Sequence, residues 1–263
     1  MNIVVCVKQV PDTWSEKKLD PSDNTLDRAA TDPVMNEMDE YAVEEALRLQ
    51  EAHGGEVTVL CMGPDTATDT VRKALSMGAD QAVHVVDPAL HGSDAPATSL
   101  ALAKALERIG SYDLVILGSE SSDARMSVVP AMLAERLGLP QLTFAKEVTA
   151  EAGQVRIKRL TDEGYQVVEA TTPAVVSVVE KINEPRYPSF KGIMAAKKKP
   201  VDTVSVADLG IDAGAVGLGG ALSAVESFEN APPRQAGTVV KDESDPGALA
   251  DRLVEFLASK KFV

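Results

Sequence analysis

The chain has 263 residues, 44% of them hydrophobic and 4% aromatic, with a net charge of -14. That length can bury a sizeable core, packed mainly by aliphatic side chains. The acidic balance excludes a general nucleic-acid binder, which needs a basic face to neutralise phosphates, and no apolar run approaches the roughly 18 residues of a membrane span, so no membrane insertion is expected.

Residues 1–10 carry no basic residue ahead of their apolar run, and Lys8 ends that run. The stretch reads as a first strand, 3–7, and not as a signal peptide, so a cytoplasmic location is expected. A continuous apolar run suits a parallel strand covered on both faces. A polar loop rich in Asp, Ser and Pro continues to about residue 32. Asn36 is the predicted N-cap of a helix to about residue 52, with Asp39 three residues on as its capping-box partner. Ala42, Ala46 and Leu49 give that helix one apolar stripe, and Gly54-Gly55 stop it. Strand 57–61 ends in the turn Met62-Gly63-Pro64. Helix 66–77 stops at Gly78, and strand 81–86 follows. Ser93 or Asp94 caps the next helix, with Pro96 in its first turn and its end around Gly110. Strand 113–117 leads through a Ser-rich loop, 118–123, into a helix at about 126–137.

After Pro140 the pattern changes. Strands at 148–150 and 155–160 flank Glu151-Ala152-Gly153-Gln154, a hairpin signal, and strands at 165–169 and 174–179 follow. The alternation predicts an α/β fold: a doubly wound, mostly parallel sheet in three Rossmann-like layers, with antiparallel additions. Beyond Pro200 large side chains thin out, glycines crowd 210–220, and Pro232-Pro233 and Asp245-Pro246 mark turns. Residues 248–258 read as an amphipathic helix. The expected division is a domain over 1–200 and an arm over 201–263. The arm either packs on a partner or is a poorly ordered tail.

Ligands of open α/β sheets bind outside the carboxyl ends of the strands. Four segments meet that description: after Val7, around 35–38, after Cys61, and 118–127. The last is the most informative. Gly118 permits close backbone approach, and Ser119, Ser121, Ser122 and Ser127 supply hydroxyls. The following helix offers N–H groups and the positive end of its dipole, and Arg125 adds charge. The segment is either a phosphate cradle without a Walker lysine or an ordinary Ser-rich turn. Gly217-Leu218-Gly219-Gly220 follows no strand and lacks the dinucleotide spacing. His53, His84 and His91 are scattered. Cys6 and Cys61 sit in apolar runs as buried thiols, without metal-ligand spacing. With no acid, base or metal constellation in view, a carrier or binder is favoured over a hydrolytic enzyme.

The segment 183–199, NEPRYPSFKGIMAAKKK, sets Tyr187 and Phe190 between Arg186 and Lys191, stiffened by Pro185 and Pro188. A stiff loop with an apolar anchor and basic surroundings suits protein docking, because less entropy is lost on binding. The alternative is a core-packing crossover with a solvated basic end.

Taken together, several stretches resemble the beta subunit of electron-transfer flavoproteins across nearly the whole chain. They are Val4-Val5-Cys6-Val7-Lys8-Gln9-Val10, Met35-Asn36 followed by Ala42-Val43-Glu44-Glu45-Ala46, and Ala74-Leu75-Ser76-Met77-Gly78-Ala79-Asp80. Leu117-Gly118 leading to Asp123 belongs with them. So do Arg159, Asp162, Glu163, Gly164, Gln166, Val168 and Pro173-Ala174-Val175-Val176, then Asn183-Glu184-Pro185-Arg186-Tyr187 and Ile193-Met194-Ala195-Ala196-Lys197-Lys198-Lys199. The resemblance implies a heterodimer. An alpha subunit would hold most of a redox FAD, this chain would cover part of it, and the pair would carry electrons from acyl-CoA and related dehydrogenases to a membrane quinone oxidoreductase. It implies no bond chemistry on this chain. It also implies a structural AMP, replaced by a second FAD in the electron-bifurcating branch. The implied AMP site comprises Cys6, Asn36, Glu37, Met38, Asp39, Met62, Gly118, Ser119, Glu120, Ser121, Ser122, Asp123, Ala124, Arg125, Met126, Ser127, Val128 and Val129. The implied docking residues are Arg186, Tyr187, Phe190, Ile193 and Met194. Two departures stand out: Phe190 occupies a position that is often Leu, and Val128-Val129-Pro130 replace a stretch that commonly carries Gln or Thr.

Two rival readings remain. One is a stand-alone adenine-nucleotide sensor, stable as a monomer. The other is an enzyme acting on ATP, for which Asp123 is the candidate metal-binding carboxylate of the loop.

Overall fold

A computed structural model describes the chain except for residues 152, 233–235, 238, 240, 242–245 and 263, and the side chain of Pro246. In chain order the first elements are β1 (Ile3–Val7), β2 (Gln9–Pro11), β3 (Pro33–Met35), α1 (Glu37–His53), β4 (Val57–Met62), α2 (Thr68–Met77) and β5 (Gln81–Val85). Then come α3 (Ala95–Ile109), β6 (Leu114–Gly118), α4 (Val129–Leu137), β7 (Gln141–Glu151), β8 (Gln154–Thr161) and β9 (Gly164–Thr171). The last are β10 (Ala174–Val178), α5 (Phe190–Ala196), β11 (Val201–Val204), the short α6 (Gly217–Gly220) and α7 (Pro246–Ser259).

One large sheet has the order β11-β5-β4-β1-β6-β10-β7-β8-β9. Pairing is parallel from β11 to β7, and β8 and β9 add antiparallel. β2 and β3 form a separate antiparallel pair. The central strands are buried at every position because both faces are covered. In β1, Ile3, Val5 and Val7 pack with residues of α1 and α2, while Val4 and Cys6 pack with residues of α3 and α4. Each large aliphatic side chain so buried contributes about 1.5–3 kcal/mol. The result is the expected three-layer α/β fold.

The chain steps from β1 to β4 and β5 on one side, then returns to place β6 on the other side of β1. The loops leaving β1 and β6 therefore diverge over the carboxyl ends of neighbouring strands, where open sheets hold their ligands.

Local chemistry sets the helix ends. Asp94 caps α3 by accepting from the N–H of Ala97, and Gly54, at φ 71°, ends α1. Glu37, Asp39 and Glu40 fill the first turn of α1, where negative charge is favoured. The capping box predicted there does not form. The Asn36 side chain makes no capping bond, because it is engaged elsewhere. α4 starts at Val129 and not near 126, since Arg125 and Ser127 adopt left-handed φ values of 49° and 55° that a helix cannot contain. β7 starts at Gln141, well before the expected 148, and runs through an irregularity near Phe144, whose φ is 60°.

The chain divides into two compact units, Met1–Glu226 and Ser227–Val263. β11 pairs in parallel with β5, so residues from 201 take part in the sheet of the first unit, beyond the domain limit expected at 200. In the second unit, α7 exposes Leu253, Val254 and Phe256. The turn signals at Pro232-Pro233 and Asp245-Pro246 lie on or beside residues outside the described set. No helix of the described residues is long and apolar enough to cross a membrane.

Candidate functional site

Lys8 leaves the sheet at the carboxyl end of β1. Its backbone N–H donates to Asp39 Oδ2 at 2.8 Å, tying the strand end to the first turn of α1. Its Nζ reaches across to the loop after β6, donating to Ser121 Oγ at 3.2 Å and Asp123 Oδ1 at 2.7 Å. Arg28, from the polar loop between β2 and β3, donates to the other oxygen of Asp123 at 3.4 Å and to the Gln9 carbonyl at 3.2 Å. The Asp123 side chain is 2% exposed. Burial alone would raise its pKa. The charge and hydrogen bond of Lys8, with help from Ser121 and Arg28, outweigh that and hold it below the usual carboxylate range.

Asn36, almost fully buried, bridges the same gap. Its Nδ2 donates to the Glu120 carbonyl at 2.9 Å, and its Oδ1 accepts from the Ser122 N–H at 3.0 Å. Both ends of one carboxamide are thus used to hold the loop against α1. Gly118 makes the approach possible. A Cβ there would lie 2.5 Å from Asp39 Oδ1 and 2.6 Å from Met38 Cβ. Asp39 lies beneath this contact, and burial pushes its pKa up to about 7 against the opposing bonds from Asn36 and Lys8.

Within the loop, the Arg125 N–H closes a turn on the Ser121 carbonyl at 2.8 Å, and Ser127 Oγ donates to Glu120 Oε2 at 3.0 Å. Ser122 Oγ is buried without a hydrogen-bond partner among the described residues. A buried hydroxyl in that state is costly unless something else satisfies it. Ala124, Arg125 and Met126 face solvent, and Val128 and Val129 are half-buried. Met62 ends β4 beside the site, and Cys6 is buried in β1 with its thiol pushed up by burial. Glu37 is exposed, whereas Met38 turns partly inward.

These residues fit a phosphate-bearing ligand. Two cations, several hydroxyls and one unsatisfied buried hydroxyl converge where the backbone is brought close by glycine. Asp123 already engages both cations, so a bound anion would share Lys8 and Arg28 with a carboxylate. Among the described residues, no three His, Cys, Asp or Glu side chains are grouped to hold a metal ion.

On another part of the first unit, Ser189 caps α5 by accepting from the Gly192 N–H at 3.0 Å. Tyr187 and Phe190 are 97% and 81% exposed, and Ile193 and Met194 are about half exposed. Arg186, expected among these outward residues, instead pairs with Glu44 and Glu51 of α1. Sequence reasoning missed Lys8 and Arg28 as partners of Asp123, and Glu44 and Glu51 as partners of Arg186. Lys8 was within reach of inference, since it directly follows a strand at the ligand-binding edge. The others depend on pairings far apart in the chain.

A family model described as the electron transfer flavoprotein domain matches residues 23–209. An electron transfer flavoprotein subunit beta of Mycobacterium tuberculosis is 52% identical over 267 residues, covering 100% of this chain and 99% of its own. Another of the same description, from Megasphaera elsdenii, is 37% identical over the full length of both chains. The caffeyl-CoA reductase-Etf complex subunit CarD of Acetobacterium woodii is 34% identical, again over both full lengths. With a domain match over most of the chain and end-to-end similarity to these relatives, the chain belongs to the electron transfer flavoprotein beta-subunit family.

Proposed function

We propose that this chain pairs with an alpha subunit to hold FAD and to shuttle electrons from acyl-CoA and related dehydrogenases to a membrane quinone oxidoreductase, in the cytoplasm. It performs no bond chemistry itself. Its partner's flavin carries the electrons, and the protein supplies binding and orientation. The beta-subunit description of relatives that match end to end carries this reading.

The loop after β6 would hold AMP as a structural nucleotide. Lys8 and Arg28, which hold Asp123, would face its phosphate, and Ser122 Oγ would gain the partner it otherwise lacks. A bound nucleotide would add to the bonds that already join the ends of β1, β6 and α1. The exposed face of α5, with Phe190 as anchor, would dock the dehydrogenase. The exposed Lys191, Lys197 and Lys198 around it suit a partner pocket rimmed by carboxylates. Of the arm expected over 201–263, the part beyond Glu226 would pack on the alpha subunit, offering the apolar side chains of α7.

The test is to co-express the chain with an alpha subunit, purify the pair, denature it and identify the released nucleotides. One FAD and one AMP per pair are expected. Two FAD would replace AMP with the bifurcating alternative. A chain that stays alone and nucleotide-free would overturn the proposal.

A further inference from the structure

The segment 186–199 is fixed to the protein body at two points. At the first, the Arg186 backbone N–H donates to Glu44 Oε2 at 3.1 Å, and its guanidinium grips the same carboxylate through Nε at 2.7 Å and Nη2 at 3.0 Å. Nη1 and Nη2 also reach Glu51 at 2.5 and 3.2 Å. Glu44 and Glu51 lie two turns apart on one face of α1, so one guanidinium spans both. Asn183 adds bonds of 3.0 Å to the Tyr41 carbonyl and to Glu45 Oε2. At the second point, Lys199 Nζ donates to the carbonyls of Leu75 and Gly78 at 3.0 Å and to that of Ala79, capping the end of α2. Arg72 of α2 returns bonds to the carbonyls of Ala196 and Lys199 at 2.7 and 2.8 Å. Between the two points, Gly192 lies so close to α2 that a Cβ would come within 2.5 Å of the Ser76 carbonyl.

We infer that Arg186 is a positioning residue and not a partner contact: together with Lys199 and Arg72 it pins α5 at both ends, presenting Phe190, Ile193 and Met194 in one fixed arrangement. The inference rests on the docking role proposed for α5. A seven-residue helix has little stability of its own. Order supplied in advance by bidentate ion pairs and helix-end caps is order that need not be gained on binding. A guanidinium already matched by two carboxylates also has little attraction left for a partner's acid.

The experiment uses the heterodimer and a purified acyl-CoA dehydrogenase reduced with its substrate, following flavin reduction as dehydrogenase concentration varies. Arg186→Ala is expected to raise the half-saturating concentration about tenfold, with the maximal rate and the flavin spectrum unchanged. Glu44→Gln with Glu51→Gln, which leaves Arg186 in place but removes its carboxylate partners, should give a comparable rise. Combining all three should add little, because the residues act as a unit. Glu51 is exposed, so Glu51→Gln alone is a milder variant and should raise half-saturation about two- to threefold. Arg186→Lys keeps the charge but loses the fork, and should behave much like the alanine variant. If the glutamine variants leave half-saturation unchanged while Arg186→Ala raises it, Arg186 meets the partner directly and the inference is overturned. Retention of wild-type behaviour by Arg186→Lys overturns it too. Phe190→Asp separates the two ideas. Should it also leave half-saturation unchanged, the docking role itself fails. Should it raise half-saturation while Arg186→Ala does not, only the pinning fails.

Discussion

Asp39 and Asn36 show how much a single buried polar side chain can organise. Asn36 turns both its amide nitrogen and its oxygen to the loop after β6, and the helix it precedes goes without a side-chain cap. Asp39 accepts the Lys8 N–H while buried beneath Gly118. Because burial raises its pKa from 3.8 to about 7, the folded state binds a proton more tightly than the unfolded chain does. The stability this gives is fully present below about pH 4 and is lost as pH rises through about 7. Asp39→Asn cannot titrate. Relative to wild type, the variant should therefore become more stable by roughly 2–4 kcal/mol between pH 4 and pH 8. Urea denaturation at the two pH values measures this. A stability difference that does not change with pH would show that Asp39 titrates near its ordinary value.

At the scale of elements, α5 presents an apolar face that its own chain leaves uncovered. Phe190→Asp puts a charge where an apolar anchor is proposed, and should raise the half-saturating dehydrogenase concentration at least tenfold, a loss of about 1.4 kcal/mol or more. The flavin spectrum should not change, and an unaltered rate at low dehydrogenase concentration would count against the docking role. The elements differ in how far the sequence announces them. β1 is a continuous apolar run, and β4, β6 and β10 are largely apolar stretches between turn residues, so their limits are readable to within a residue or two. Asp94 followed by Pro96 marks the start of α3 just as openly. β11 is four residues long, only its last residue is buried, and its register comes entirely from β5. Nothing local predicts such an edge strand. The late start of α4 follows from the left-handed Arg125 and Ser127, conformations that those residue types seldom choose by themselves. At the candidate site, the strand-end loops, Gly118 and the serines were legible. The Lys8–Asp123–Arg28 cluster was not, because it joins positions 8, 28 and 123 through the folded sheet.

For the molecule as a whole, the division after Glu226 makes a further prediction. Residues 1–226 contain the whole sheet and both hydrophobic clusters. A chain ending at Glu226 should therefore unfold in one cooperative transition, with a midpoint within about 4 °C of the full chain. If the removed arm packs on the alpha subunit, the shortened chain should also bind that subunit more weakly, which gel filtration of the mixed subunits would show. A multistep or strongly lowered transition would mean that the arm completes the core. One element reaches across this body. α1 has 17 residues, about 25 Å at 1.5 Å per residue. Asn36 at its head holds the candidate nucleotide loop, while Glu44 and Glu51 farther along hold the docking segment. The two segments thus share one helix. If the roles proposed for these two segments hold, α1 is the strut that sets the distance between them, and a break within it would disturb both at once.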